Sequence, residues 1–66
     1  MNVRVNGELR TVEERITVGE YLRSKGFDPA RLVVEVNRNI VKRETFDTTG
    51  LDEGDRIEIL HFVGGG

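Results

Sequence analysis

The sequence predicts an α+β domain in which a mixed sheet of four to five short strands packs on one short helix. Three features predict this class: an alternating segment that ends at Asn6-Gly7, a helical stretch that begins at Thr17, and β-prone segments at 32–36 and 56–62. The chain has 66 residues, which allows one domain with one small core. We therefore expect all of these elements to lie in a single domain.

The N-terminal segment predicts a β-hairpin. Valines at alternate positions precede Asn6-Gly7, and both turn residues tolerate the positive φ that a tight hairpin turn requires. A charged return strand is expected over residues 8–15, with Leu9 and Val12 as its apolar members.

The helix has a start signal and a stop signal. Thr17 and Glu20 form the T-x-x-E pattern of a capping box, in which each side chain binds the other residue's backbone N–H. Gly26 suits the residue that ends the helix, and Pro29 follows soon after. The apolar residues that share one helical face are Val18, Tyr21 and Leu22.

The second half of the chain predicts strands at 32–36, briefly at 40–41, and finally at 56–62. The segment between the last two strands lacks a clean period, and its Phe46 and Leu51 are expected to fill the core.

The two faces of the last strand differ. Ile57 and Ile59 are expected to face the helix, which leaves Leu60 and Phe62 on the outer sheet face beside the C-terminus. An exposed apolar patch often marks a partner surface, so Leu60 and Phe62 are candidates for partner docking. The alternative is that both side chains fill a local hollow.

Composition excludes several classes of function. The 10 basic residues are scattered among 12 acidic ones for a net charge of −2, so no basic stripe predicts nucleic-acid binding. No apolar run approaches the roughly 20 residues that a membrane span needs, and no signal peptide is recognisable, so we expect a cytoplasmic protein. The absence of cysteine excludes a disulfide and side-chain thiol chemistry.

No side chain suggests catalysis. His61 is the single histidine and lacks a partner at ligand spacing, so a structural role is expected. Asp52, Glu53 and Asp55 lack the spacing of a calcium loop and predict a solvated turn, so we expect neither a metal site nor a catalytic residue. The protein is expected not to be an enzyme.

The last three residues, Gly64, Gly65 and Gly66, are the strongest functional candidate. A terminal carboxylate on a tail without side chains can enter another protein's active site, so Gly66 would react while Gly65 and Gly64 provide clearance. The alternative is a frayed end. We divide the chain into a domain at 1–63 and a flexible reactive tail at 64–66.

The chain resembles the thiamine-pathway sulfur carriers, the ThiS group of ubiquitin-like β-grasp proteins, over essentially its full length. The resemblance rests on residues 17–22, on 34–41 with Arg43 beyond, and on 55–59 leading to Gly65-Gly66. Lys42 and Phe46 depart from it, because these carriers often have proline and tryptophan there.

The resemblance implies a route for sulfur. An E1-like, ThiF-like adenylyltransferase would activate the Gly66 carboxylate with ATP, while the carrier itself binds no cofactor. A sulfur donor such as a cysteine desulfurase would then give a thiocarboxylate, and a ThiG-like thiazole synthase would accept the sulfur. Leu60 and Phe62 would form part of the docking face.

Three alternatives stay open at this point. The first is a carrier of the same chemistry for molybdopterin or tRNA thiolation. The second is a ubiquitin-like modifier whose terminus joins a lysine, and the third is an interaction module with an idle tail.

Overall fold

The structure, a computed structural model, describes residues 1–62, so the predictions for Gly64, Gly65 and Gly66 lie outside the described residues. The elements in chain order are β1 (Asn2–Val5), β2 (Glu8–Thr11), α1 (Val18–Ser24), a 3-10 turn (Pro29–Arg31), β3 (Leu32–Val36), β4 (Asn39–Val41), a second 3-10 turn (Arg43–Thr45) and β5 (Arg56–His61). The predicted order of strands and helix is confirmed.

The sheet is mixed, and its last strand is central. The strands lie in the order β2-β1-β5-β3-β4. β1 and β5 run parallel, whereas the β1–β2, β3–β4 and β3–β5 pairs are antiparallel. This strand order, with a central parallel pair and one helix packed on the sheet, is that of the ubiquitin-like β-grasp fold, which confirms the predicted fold class. β5 therefore has β1 beside its first two residues, Arg56 and Ile57, and β3 beside it from Ile57 to His61.

The N-terminal hairpin forms as predicted, but its return strand is shorter. The Asn6-Gly7 turn takes φ values of 50° and 83°. The strand expected over 8–15 ends at Thr11, because Thr11 pairs with Asn2, the first residue of β1. The chain then turns away, and Arg15 adopts a φ of 62° that no strand can accommodate.

The predicted capping box starts α1. The Glu20 N–H donates to the Thr17 hydroxyl at 3.1 Å, and the Thr17 N–H donates to Glu20 Oε1 at 3.0 Å. Gly26, at φ 76°, follows the C-terminal end of the helix, as expected of a stop residue. Both ends of this seven-residue helix are thus defined by local sequence.

Loss of the cap should weaken the whole domain, because so short a helix cannot persist without its caps and tertiary packing. We expect Thr17→Ala to lower the free energy of unfolding by about 1 kcal/mol. Urea denaturation measures this, and Thr17→Ser, which keeps the hydroxyl, should retain most of the wild-type stability. Equal midpoints for Thr17→Ala and the wild type would contradict a stabilising cap.

The core lies between α1 and one face of the sheet. Ile57 and Ile59 face the helix, and Phe46 and Leu51 are buried beside them, as predicted. The buried hydrophobic residues are Val3, Val5, Val18, Tyr21, Leu22, Leu32, Val34, Phe46, Leu51, Ile57 and Ile59. Within residues 1–62, no helix has the length and apolar character that crossing a bilayer requires.

Candidate functional site

The segment Ile59–Phe62, here called the tail root, precedes the predicted reactive glycines in the sequence and is separated from them by residue 63. It comprises the last strand residues of β5 and the residue that follows them. It contains the last residues that the structure describes, so it sets the position from which residue 63 begins.

On one side the tail root is held by the side chain of Asn6. The Ile59 N–H donates to Asn6 Oδ1 at 2.7 Å, and Asn6 Nδ2 donates back to the Ile59 carbonyl at 3.3 Å. The amide thus makes the two hydrogen bonds that a strand residue would make. It extends the β1–β5 ladder past Val5, where β1 itself ends.

On the other side the tail root is held by β3 and the turn before it. Leu60 lies opposite Val33, and the Phe62 N–H donates to the Arg31 carbonyl at 3.1 Å. His61 packs edge-on against Phe27, with ring centroids 5.4 Å apart and an interplanar angle of 73°. The last described residues are therefore anchored from both edges and from the helix side of the sheet.

The outer face of the sheet carries an exposed apolar patch beside the tail root. Leu60 is 52% exposed and Phe62 58% exposed, so neither fills a hollow within residues 1–62. Ile40 on β4 is 69% exposed, and half-buried Val33 lies opposite Leu60. We call Val33, Ile40, Leu60 and Phe62 the outer patch.

Sequence reasoning missed two members of the outer patch. Alternation along one strand shows which residues share a face, but it does not show which strand lies alongside. Ile40 joins the patch because it lies opposite Glu35 on β3, one row from the Val33–Leu60 pair. The tight turn at Asn37-Arg38, where φ is 51° and 71°, sets that register.

Further from the tail root, the outer face of the sheet carries charged residues. Glu35 lies directly opposite Glu58, and beyond them Arg4 lies opposite Arg56. Like charges in direct cross-strand pairs are unfavourable. Among the described residues, neither glutamate forms an ion pair. The face therefore changes from apolar to acidic to basic with distance from the tail root.

The acidic turn at Asp52, Glu53 and Asp55 serves the fold. Asp55 accepts the Asp52 N–H at 2.8 Å and the Asn37 side-chain amide at 3.0 Å. Glu53 accepts the Asn2 N–H at 2.9 Å. Within residues 1–62 no three potential metal-ligating side chains come together. This geometry agrees with the solvated turn expected from the sequence.

Comparison with known proteins identifies the family. The family model described as the ThiS family matches residues 3–66. The chain belongs to the ThiS family. Within this family, the chain is 32% identical to the sulfur carrier protein ThiS of Bacillus subtilis, over 97% of this chain and 98% of that protein.

A solved structure supports the same relationship. The ThiS-family thiamine biosynthesis protein from Geobacter metallireducens superposes with a TM-score of 0.86 at 40% identity, and the match covers both chains completely. The chain is also 39% identical to a thiazole synthase from Magnetococcus marinus over its full 66 residues. It spans only 20% of that thiazole synthase, so ThiS-like sequence occurs there within a much longer polypeptide.

Proposed function

We propose that this protein is a sulfur carrier for the thiazole of thiamine and that its reactive group is the carboxylate of Gly66. The observation that carries the proposal is the 32% identity to the sulfur carrier protein ThiS of Bacillus subtilis, which extends over 98% of that protein. The fold supports it, because β5 lies between two strands and leads directly to the three glycines. The protein would act as a co-substrate of partner enzymes rather than as a catalyst.

The chemistry proceeds by activation and displacement. A Gly66 carboxylate oxygen attacks the α-phosphorus of ATP in an E1-like adenylyltransferase, pyrophosphate leaves, and an acyl-adenylate forms. The terminal sulfur of a persulfide, supplied by a donor such as a cysteine desulfurase, attacks the carbonyl carbon and expels AMP. A thiol then cleaves the resulting S–S bond, which leaves the thiocarboxylate. The chain has no cysteine, so its own side chains cannot divert the sulfur.

The sulfur acceptor that we propose is a thiazole synthase. The thiazole synthase of Magnetococcus marinus contains a segment like this chain, which supports a functional link between carrier and acceptor. In that protein the carrier-like segment is part of one longer polypeptide.

We propose that the outer patch is the docking surface for the adenylyltransferase. Its apolar side chains lie beside the tail root, so a partner that covers them is positioned to receive Gly66. A partner surface that fits would be apolar opposite Leu60 and Phe62. It would be cationic opposite Glu35 and Glu58, where it would relieve the repulsion between these carboxylates.

The test is the intact mass of the protein after co-expression with its adenylyltransferase and sulfur donor. We expect a shift equal to the replacement of one oxygen by sulfur, and no shift when the adenylyltransferase is omitted. A branched peptide joining Gly66 to a lysine would instead indicate a modifier. An unshifted mass, together with sulfur transfer that survives deletion of Gly65 and Gly66, would exclude the carrier.

A further inference from the structure

Arg43 joins the edge of the sheet to the turn that precedes β3. Its Nε donates to the Pro29 carbonyl at 3.2 Å, and its Nη2 donates to the Ala30 carbonyl at 3.2 Å. A guanidinium suits this task, because its fixed fork can reach two neighbouring acceptors at once. Arg43 begins the second 3-10 turn, shortly after β4. Its side chain therefore links the β4 edge of the sheet to the first 3-10 turn, Pro29–Arg31.

The same turn anchors the tail root. The carbonyl of Arg31, the next residue after Ala30, accepts the N–H of Phe62 at 3.1 Å. Asp28 caps the turn from its other end, because its Oδ1 accepts the Ala30 N–H at 3.0 Å. Arg43 and Asp28 thus hold a short, exposed turn whose last carbonyl binds the final described residue.

We propose that Arg43 is a positioning residue for the reactive carboxylate and acts through the Pro29–Arg31 turn on the anchor of Phe62. This inference rests on the proposed carrier function. Without Arg43 the turn loosens and the Phe62 hydrogen bond opens. The last described residue that β3 still pairs is then His61, opposite Leu32, so the segment between this anchor and Gly66 becomes one residue longer.

The consequence is less efficient delivery of Gly66 to the adenylyltransferase. A longer segment between the last anchor and the reacting group lowers its effective concentration at the partner's site. Phe62 of the outer patch is the residue released, so docking weakens as well.

The first measurement uses the protein alone. Arg43→Ala and Arg43→Gln should accelerate amide hydrogen exchange at Phe62 by about tenfold, because local opening of a strand end governs exchange there. Exchange at Val34 and Leu22, in the core, should stay near the wild-type rate. Lys42→Ala is the matched control, because it removes a neighbouring positive charge without touching the Pro29 or Ala30 carbonyl.

The second measurement uses the adenylyltransferase with MgATP. The Arg43 variants should raise the KM for the carrier by about threefold to tenfold and change kcat by less than about twofold. Arg43→Lys, which can still bind a carbonyl, should recover part of the loss, and Lys42→Ala should behave as wild type. A purely structural role would lower the thermal midpoint but leave the KM unchanged.

The outcomes separate this inference from the carrier function. No adenylation of the wild type would overturn the carrier function itself. Wild-type adenylation with an unchanged KM in the Arg43 variants, or unchanged Phe62 exchange, would overturn the positioning role. If the Arg43 variants do not fold, Asp28→Ala takes their place, because it removes the cap at the other end of the same turn. We expect it to raise the KM in the same direction but by less. Its failure to do so would also overturn the role.

Discussion

Replacement of Gly66 by isoleucine is expected to abolish adenylation while the domain stays folded. The partner must bring the terminal carbon to the α-phosphate of ATP, and a branched side chain next to the carboxylate would displace it. Misplacement of reacting atoms by about 1 Å can cost on the order of 100-fold in rate. We therefore expect AMP formation to fall by at least about 100-fold.

The measurement is AMP release with the purified adenylyltransferase, combined with circular dichroism and a thermal melt. All buried hydrophobic residues found in the structure lie between Val3 and Ile59, so the melt should match that of the wild type. Gly64→Ala is the graded comparison, because its methyl group lies two residues before the reacting carbon, where clearance should be less demanding, and we expect an effect below about threefold. Normal adenylation of Gly66→Ile would refute the clearance argument.

The second large effect is expected from the outer patch. Replacement of both Leu60 and Phe62 by glutamine should raise the KM of the adenylyltransferase for the carrier by about 30-fold to 100-fold. Central apolar side chains commonly account for most of the binding energy of an interface. Both side chains are more than half exposed, so their loss should hardly affect the free energy of unfolding.

Leu9→Gln provides the control for this effect. Leu9 is 57% exposed on the same outer face, but it lies on β2, two strands from β5. It lies opposite Arg4, which in turn lies opposite Arg56 at the far end of β5. A similar KM increase in Leu9→Gln and in the Leu60 and Phe62 double variant would show that general surface hydrophobicity, and not the outer patch, determines binding.

Local features of the fold could be predicted from the sequence, because short-range physical chemistry determines them. The Asn6-Gly7 turn and the Thr17–Glu20 capping box involve neighbours in the chain, and both occur as expected. The end of β2 could not be predicted, because it depends on where its partner strand begins.

The functional surfaces were predictable only in part. The exposure of Leu60 and Phe62 follows from alternation along one strand. The parallel pairing of β1 with β5, the opposition of Glu35 and Glu58, and the contacts of Arg43 depend on residues distant in sequence. Long-range register of this kind leaves no periodic signal in a single sequence. The tail residues 64–66 lie outside the described residues, so their role stays a prediction.

The parallel pairing of β1 and β5 also has a mechanical consequence. A pull on the C-terminal end of β5, against the start of β1, acts along both strands and loads their hydrogen bonds together. These bonds include Arg4 N–H to the Asp55 carbonyl at 2.9 Å, Asn6 N–H to the Ile57 carbonyl at 2.8 Å and Ile59 N–H to Asn6 Oδ1 at 2.7 Å. Shear of this kind requires several bonds to break at once, unlike peeling. The parallel pairing therefore makes the described domain resistant to a force applied at the C-terminal end of β5.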